Sequence, residues 1–366
     1  MQIRVALSET RGQKPRPEND SDLGFGQYFT DHMFKLSYRE GEGWFDPRIE
    51  PYGPLNLDPA AMVLHYNQEV FEGMKAYILP GGDAALFRPD KNVERMNRSL
   101  ARMSMPQIDP DVFLSAVKEL VWLERSWIPT SEGTALYIRP TAIATEAALG
   151  VRAATEYLFY IILSPVGPFY KEGFSPTKIF VADEFIRAAR GGSGAAKTSG
   201  NYGPTLIAAS EAGKKGYSQV LWLDASEHRY VEEVGTSNIF FVFDGELVTP
   251  PTGGTILDGV TRDSVIHMAR HHGTTVTERP VTIDEVIEKL ENGTLQEIFA
   301  SGTAAVISPV GLIGYKDNTY DVNGGQVGPI AKNLYDELTG IQNGIVEDPY
   351  GWLVRIHGES GVTGGG

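Results

Sequence analysis

The sequence predicts an α+β protein built as two domains, and three observations carry that prediction. Its 366 residues exceed one ordinary hydrophobic core and suit two domains of roughly 150–200 residues each. Glycine and proline cluster near the middle of the chain, at Pro165, Gly167, Pro168, Gly173 and Pro176, as they do at domain junctions. On both sides of this cluster helical and extended patterns interleave and hairpin signals recur, which favours α+β domains over a doubly wound parallel sheet. The division expected is a smaller N-terminal domain over residues 1–169, a linker over 170–182 and a larger C-terminal domain over 183–366.

The elements follow from local pattern. Asp90 is placed to cap a helix whose apolar positions Val93, Met96, Leu100 and Met103 have helical spacing. Asp109-Pro110 opens a second helix with Phe113, Ala116, Val117 and Leu120 on one face. Residues 135–138 and 157–163 read as strands, and 178–182 and 219–223 as buried ones. Asp244-Gly245 between two apolar runs is a two-residue hairpin signal. A helix starts just after Gly259, with Val265, Ile266, Met268 and Ala269 in its pattern, and Thr282 with Glu285 forms a capping box for another reaching Leu290. The glycine-rich tail at 361–366 is expected to be disordered.

Composition excludes several functions. The chain is 42% hydrophobic and 22% charged, as soluble globular proteins are. Its 47 acidic and 32 basic side chains give a net charge of −15, which repels phosphate backbones and argues against a nucleic-acid partner. The absence of cysteine removes disulfides, thiolate catalysis and cysteine-ligated metal together. Residues 1–14 mix charges without an apolar leader, and no apolar run nears the ~20 residues of a membrane span. A cytoplasmic enzyme acting on small molecules, without a metal site, is the expectation.

The sharpest local feature is Gly191-Gly192-Ser193-Gly194-Ala195-Ala196-Lys197-Thr198. It imitates a nucleoside-triphosphate loop, but Ala196 stands where that motif needs glycine, and Gly200, Gly203 and Pro204 interrupt any helix begun at Thr198. The alternative is that small residues clear space around one lysine. Pyridoxal phosphate needs a lysine amine for its aldehyde, a carboxylate at its pyridine nitrogen, apolar walls and an anion site. Taken alone, Lys197 reads better as a surface lysine in a glycine-rich loop, and only the rest of the chain reverses that. Downstream, Glu232-Glu233 precedes an apolar strand, although adjacent glutamates usually mark a solvated turn. The helix start at Val260-Thr261 and the small, hydroxyl-bearing run Ser301-Gly302-Thr303-Ala304-Ala305 both suit an anion.

In order along the chain, Lys197-x-x-Gly200-Asn201-Tyr202, Glu233-Val234-Gly235-Thr236, Leu257-x-Gly259-Val260-x-Arg262 and Ser301-Gly302-Thr303-Ala304 resemble the signature of the class IV aminotransferases. Phe29-Thr30-Asp31-His32-Met33, Leu64-His65-Tyr66, Phe71-Glu72-Gly73-Met74-Lys75, Phe87-Arg88-Pro89 and Leu136-Tyr137-Ile138-Arg139-Pro140 resemble the branched-chain amino acid aminotransferases in particular. The similarity runs from about Phe25 to about Tyr315.

The resemblance implies the family's two-domain fold, pyridoxal 5′-phosphate and reversible amino transfer between leucine, isoleucine or valine and 2-oxoglutarate. It makes Lys197 the catalytic residue that bonds the cofactor and shuttles a proton. It implies Glu233 at the pyridine nitrogen, Tyr202 at the phenolic oxygen, Leu257 on the ring face, and Arg95, Val260, Thr261 and Thr303 at the phosphate. Thr236 would border both cofactor and substrate. The side-chain pocket would take Phe29, Tyr66, Phe71, Tyr137, Phe169, Tyr202, Thr236, Ala304 and Ala305, with Leu149 and Val151 from a loop. Arg139 and Lys75, with Tyr66 helping, would hold the second carboxylate of glutamate. A homodimer is implied, with Tyr66, Leu149 and Val151 supplied or braced by the neighbour.

The sequence departs from its relatives at Phe169, where some place tyrosine, and at Thr198-Ser199. It also has Ala305 and Ser308 where vertebrate members carry a cysteine pair. An aminodeoxychorismate lyase or D-amino acid aminotransferase would share the lysine and the fold but lack this N-terminal set. A non-enzymatic binding protein would be expected to have lost Lys197, Glu233 or Arg95.

Overall fold

The structure, a computed structural model, describes residues 1–10, 12, 14–168 and 174–356. The chain forms two compact units, Met1–Phe169 with Gly340–Gly366, and Tyr170–Thr339. The expected α+β class is observed in each.

The first unit is built on a nine-stranded sheet. Its order is Arg4–Val5, Gly43–Pro51, His32–Arg39, Glu156–Val166, Ala135–Ala144, Met74–Ile78, Ala84–Phe87 and Leu353–Ile356, with Glu69–Phe71 also pairing with Ala135–Ala144. Every pair is antiparallel except the first. Because side chains alternate along a strand, the sheet sorts residues by parity. Phe34, Leu36, Met74, Ala76, Leu136, Ile138, Ala142, Phe159, Ile161 and Leu163 enter one core with the apolar stripes of helices Pro89–Arg102 and Pro110–Leu123. The alternate residues Phe71, Lys75, Tyr137, Arg139, Thr141 and Tyr160 share the opposite face, in a register that sets Lys75 against Tyr137 and Thr141 against both Phe71 and Tyr160.

Asp109 caps its helix as expected, accepting from the N–H groups of Asp111 and Val112. The preceding helix differs. It begins at Pro89 after Arg88 in the left-handed region (φ 47°), and Asp90 makes no side-chain cap, because proline already suits the first helical position.

The second unit holds another nine-stranded sheet, ordered Val231–Val234, Gln219–Leu223, Thr177–Val181, Val306–Tyr315, Leu295–Gly302, Asn238–Phe243, Glu246–Thr249 and Val276–Glu278, with Asn318–Asp321 beside Val306–Tyr315. Parallel and antiparallel pairs mix. The hairpin turn has both Asp244 (φ 49°) and Gly245 (φ 83°) left-handed, the geometry that two-residue loops need. Only half of the expected capping box forms. Thr282 Oγ1 accepts from Glu285 N at 3.1 Å, while the Glu285 carboxylate turns to Arg279.

Two expected boundaries move. Residues 177–181 are an interior strand rather than linker, since strands on both sides complete its hydrogen bonds. Residues 340–356 belong with the first unit, because Leu353–Ile356 pairs antiparallel with Ala84–Phe87. The tail at 361–366 lies outside the described residues. Among the described residues no helix is long and apolar enough to cross a membrane, and no three His, Asp or Glu side chains are grouped to hold a metal.

Candidate active site

In the second unit, residues 182–198 follow the strand Thr177–Val181 without regular structure and lead into the 3₁₀ turn Ser199–Asn201. The strand–loop–helix that a nucleoside-triphosphate loop requires is therefore not formed. Asn201, buried, fixes the loop by donating to the carbonyls of Ser193 and Ala196, both at 2.8 Å. Lys197 emerges half-buried with its Nζ 3.2 Å from the Tyr202 hydroxyl.

Glu232 and Glu233 lie inside the strand Val231–Val234, and both are buried rather than solvated. Successive residues face opposite ways, so their environments differ. Glu233 Oε1 accepts from Leu257 N at 2.8 Å and Asn238 Nδ2 at 3.3 Å. Its Oε2 is 2.8 Å from Arg187 Nε, a charge contact between two buried groups. Arg187 also donates to the carbonyls of Gly194 and Thr255, so one guanidinium ties the lysine loop to the Glu233 strand. Burial pushes the Glu232 carboxyl up from its ordinary value.

Leu257 is buried beside Glu233, and the helix Val260–His271 starts three residues later with Gly259 as its cap. A Cβ on Gly259 would collide with the Asn238 amide, so glycine is required where this turn closes on the strand. The turn after Leu295–Gly302 carries Thr303, Ala304 and Ala305, all half-buried, and Gly302 lies against Ser237 of the Thr236-Ser237 turn. Thr236 itself is exposed. Ser301 Oγ is buried and has no hydrogen-bond partner among the described residues.

In the first unit, the sheet face opposite the core gathers four of the expected pocket residues, Phe71, Lys75, Tyr137 and Arg139, while Tyr66 packs against the core cluster. The Arg139 guanidinium lies 4.9 Å from the Phe71 ring centre and 5.3 Å from that of Tyr137, and donates to the Tyr137 hydroxyl at 3.3 Å. Phe25 packs edge-on to Tyr137 at 4.9 Å. Gly73 has to be glycine, since a Cβ there would strike the Tyr137 hydroxyl. Lys75 is buried, and desolvation brings its ammonium down to about 8. Phe29 stacks on Tyr52, ring centres 5.1 Å apart. Tyr66 ends the helix Met62–Tyr66 and donates to the Leu149 carbonyl, while the side chains of Leu149 and Val151 are exposed. Phe169 lies outside the described residues.

Arg95 is not the surface arginine that its helical position permits; Arg98 and Arg102 are exposed, but Arg95 is buried. Its Nε and one terminal nitrogen fork onto the two Glu72 oxygens at 2.7 and 2.9 Å, and Asn92 donates to the same carboxylate at 2.8 Å. Strand parity explains the pair: Glu72 falls between Phe71 and Gly73 on the core side, where the helix Pro89–Arg102 packs.

The model of the amino-transferase class IV family matches residues 69–313. The chain is 54% identical to branched-chain-amino-acid aminotransferase 2 of Bacillus subtilis, over 97% of each chain, and 52% identical to a probable branched-chain-amino-acid aminotransferase of Staphylococcus aureus, over 97% of this chain and 98% of that one. The chain belongs to the class IV aminotransferases, among the branched-chain amino acid enzymes. The fold agrees. The Escherichia coli branched-chain amino acid aminotransferase superimposes with a TM-score of 0.74 at 27% identity, over 88% of this chain and 99% of that one. The Thermus thermophilus enzyme with pyridoxamine 5′-phosphate gives 0.72 at 28% identity, over 88% and 98%.

Pyridoxal 5′-phosphate is the cofactor of this aminotransferase, and the donor set of its second unit fits that molecule. A lysine amine, a buried carboxylate, an apolar side chain beside that carboxylate, a helix start and an orphaned hydroxyl all belong to one unit. Sequence reasoning gave no role to four residues of this aminotransferase that hold the expected ones in place: Glu72 and Asn92 around Arg95, and Arg187 and Asn238 around Glu233. Glu72 did carry a signal, a carboxylate within the otherwise apolar Val70-Phe71-Glu72-Gly73-Met74. Arg187 carried none.

Proposed function

We propose that Lys197 is the catalytic residue of a transaminase that exchanges the amino group of leucine, isoleucine or valine with 2-oxoglutarate. The observation that carries this reading is Lys197 Nζ beside the Tyr202 hydroxyl, in the unit that also buries the Glu233 carboxylate. When bound, pyridoxal phosphate supplies an aldehyde for the amine and a ring that withdraws electrons from the substrate α-carbon. Lys197 would hold the cofactor through its amine and is placed to take up and return the proton at the substrate α-carbon. Glu233, fixed by Arg187, Asn238 and Leu257 N, would keep the proton on the pyridine nitrogen. Tyr202 would donate to the phenolic oxygen, and Leu257 would pack on the ring. Val260, Thr261 and Thr303 take the phosphate through helix-start N–H groups and a hydroxyl, with Thr236 and Ala304-Ala305 beside the substrate.

On the first unit, Arg95 is an anion-binding guanidinium held rigid by Glu72, and the face bearing Phe71, Tyr137 and Arg139 receives the substrate side chain, with Phe29 as a wall. Arg139 and Lys75 answer the second carboxylate of glutamate, which leucine lacks. Arg139→Met should raise KM for 2-oxoglutarate by about tenfold or more while the leucine half-reaction stays within about twofold. In the unaltered enzyme the same KM should climb as pH rises through about 8, where Lys75 loses its proton. Equal damage to both half-reactions would make Arg139 a structural ion-pair residue instead.

A homodimer belongs to the same proposal. Leu149 and Val151 are 64% and 83% exposed on a loop that Glu146 clasps through Arg152 and Thr155, a stiff mount for two apolar side chains. Sedimentation should find a dimer in active preparations, and Val151→Asp should shift it towards monomer. A fully active monomer would end this part of the reading.

A further inference from the structure

The N-terminal arm grips three successive residues of the segment that leads into the first unit's sheet. Lys14 Nζ donates to Thr30 O at 2.5 Å, Gly12 N to Asp31 Oδ2 at 3.0 Å and Ser8 N to His32 Nε2 at 2.8 Å. Arg16 continues the grip. Its guanidinium lies 3.6 Å from the Trp127 ring centre and donates to Ser126 O, while Trp127 Nε1 donates to Asp31 Oδ2.

Electrostatics gives the arm a reason to stay. Asp31 and Glu124 are both buried, and His32 is buried between them with Nδ1 2.5 Å from Glu124 Oε1. His32 Nε2 accepts from Ser8 N, which leaves Nδ1 to face Glu124. The arm supplies cationic counter-charge, since its Lys14 and Arg16 both face Asp31 and Glu124.

Lys14 is also where the arm meets the pocket wall. Its ammonium lies 4.4 Å from the Tyr52 ring centre, and Tyr52 is the ring on which Phe29 stacks, the two planes 9° apart. Tyr52 N in turn donates to Asp31 O at 2.8 Å. One side chain thus clamps the carbonyl next to Phe29 and the ring beneath it. We propose that Lys14 is a positioning residue that sets the Phe29 wall and, through it, the enzyme's preference for branched side chains. This rests on the reading of Phe29 as a wall of the substrate pocket. An apolar wall discriminates by where it stands, and moving it changes the fit of large side chains while sparing small ones.

The test is steady-state kinetics of the cofactor-loaded enzyme with leucine and alanine as donors, for Lys14→Met, Lys14→Arg and Phe29→Ala. Lys14→Met should lower kcat/KM for leucine about tenfold, through KM, and leave that for alanine within about twofold. Lys14→Arg, which keeps the charge and the ring contact, should restore most of the leucine preference. Phe29→Ala should lose the same preference. If Phe29→Ala loses it and Lys14→Met does not, the arm has no part in specificity. If Lys14→Met damages both donors equally, its role is only structural. If Phe29→Ala changes nothing, the wall reading and the proposal fall together.

Discussion

Lys197→Ala should abolish turnover, lowering kcat/KM by ~10⁴-fold or more, because in the proposed reading the same amine would bond the cofactor and move the proton. The fold should survive. Lys197 is half-buried in a loop that Asn201 fixes through the backbone, and its amine reaches out to the Tyr202 hydroxyl rather than into the core. Melting temperature and far-UV circular dichroism of the cofactor-free protein should therefore match the parent. Borohydride treatment of the loaded parent enzyme should leave reduced cofactor on the peptide carrying Lys197. Label on Lys214 or Lys215, at the end of the helix Leu206–Lys214, would remove the assignment.

Glu233→Gln should have the second largest effect, a fall in kcat of ~10²-fold or more with a much smaller loss of cofactor affinity. Glutamine retains an oxygen for Leu257 N but takes away the negative charge that faces Arg187 and would hold the proton on the ring nitrogen. The Arg187 guanidinium would then be buried without its counter-charge, so the melting temperature should fall as well. Glu232→Gln is the matched control: one residue away, buried, but on the other side of the strand, so it should keep turnover near the parent value. Near-parental turnover in Glu233→Gln, or equal losses in the two variants, would show that this carboxylate does not serve the ring.

The sequence spoke most clearly where the chemistry is local. Asp109-Pro110, Asp244-Gly245 and the helix after Gly259 each state their geometry within a few residues, and the structure follows them. The want of a nucleoside-triphosphate loop was legible for the same reason, since Gly200, Gly203 and Pro204 interrupt any helix begun at Thr198 and only the 3₁₀ turn Ser199–Asn201 forms there. What could not be read is pairing across distance. Arg95 looks like any helix arginine until the helix packs against Glu72, 23 residues away in sequence. Arg187 sits in an undistinguished Phe185-Ile186-Arg187-Ala188 and gains its meaning only from Glu233. The supposed linker failed likewise. The Gly and Pro cluster does hold the border between the units, at Phe169/Tyr170, but Thr177–Val181, counted with the linker, is held inside the sheet by strands that come later in the chain.

The strand Leu353–Ile356 gives this topology a cost during synthesis. Its partner Ala84–Phe87, wholly buried in the finished sheet, emerges from the ribosome long before it. The whole of the second unit has to be translated in between. Throughout that interval the nascent first unit has an unprotected apolar edge with unpaired N–H and C=O groups, which neighbouring chains on the same polysome can extend. A chain truncated before Leu353 should therefore aggregate more readily than the full-length protein, as light scattering of the two would show.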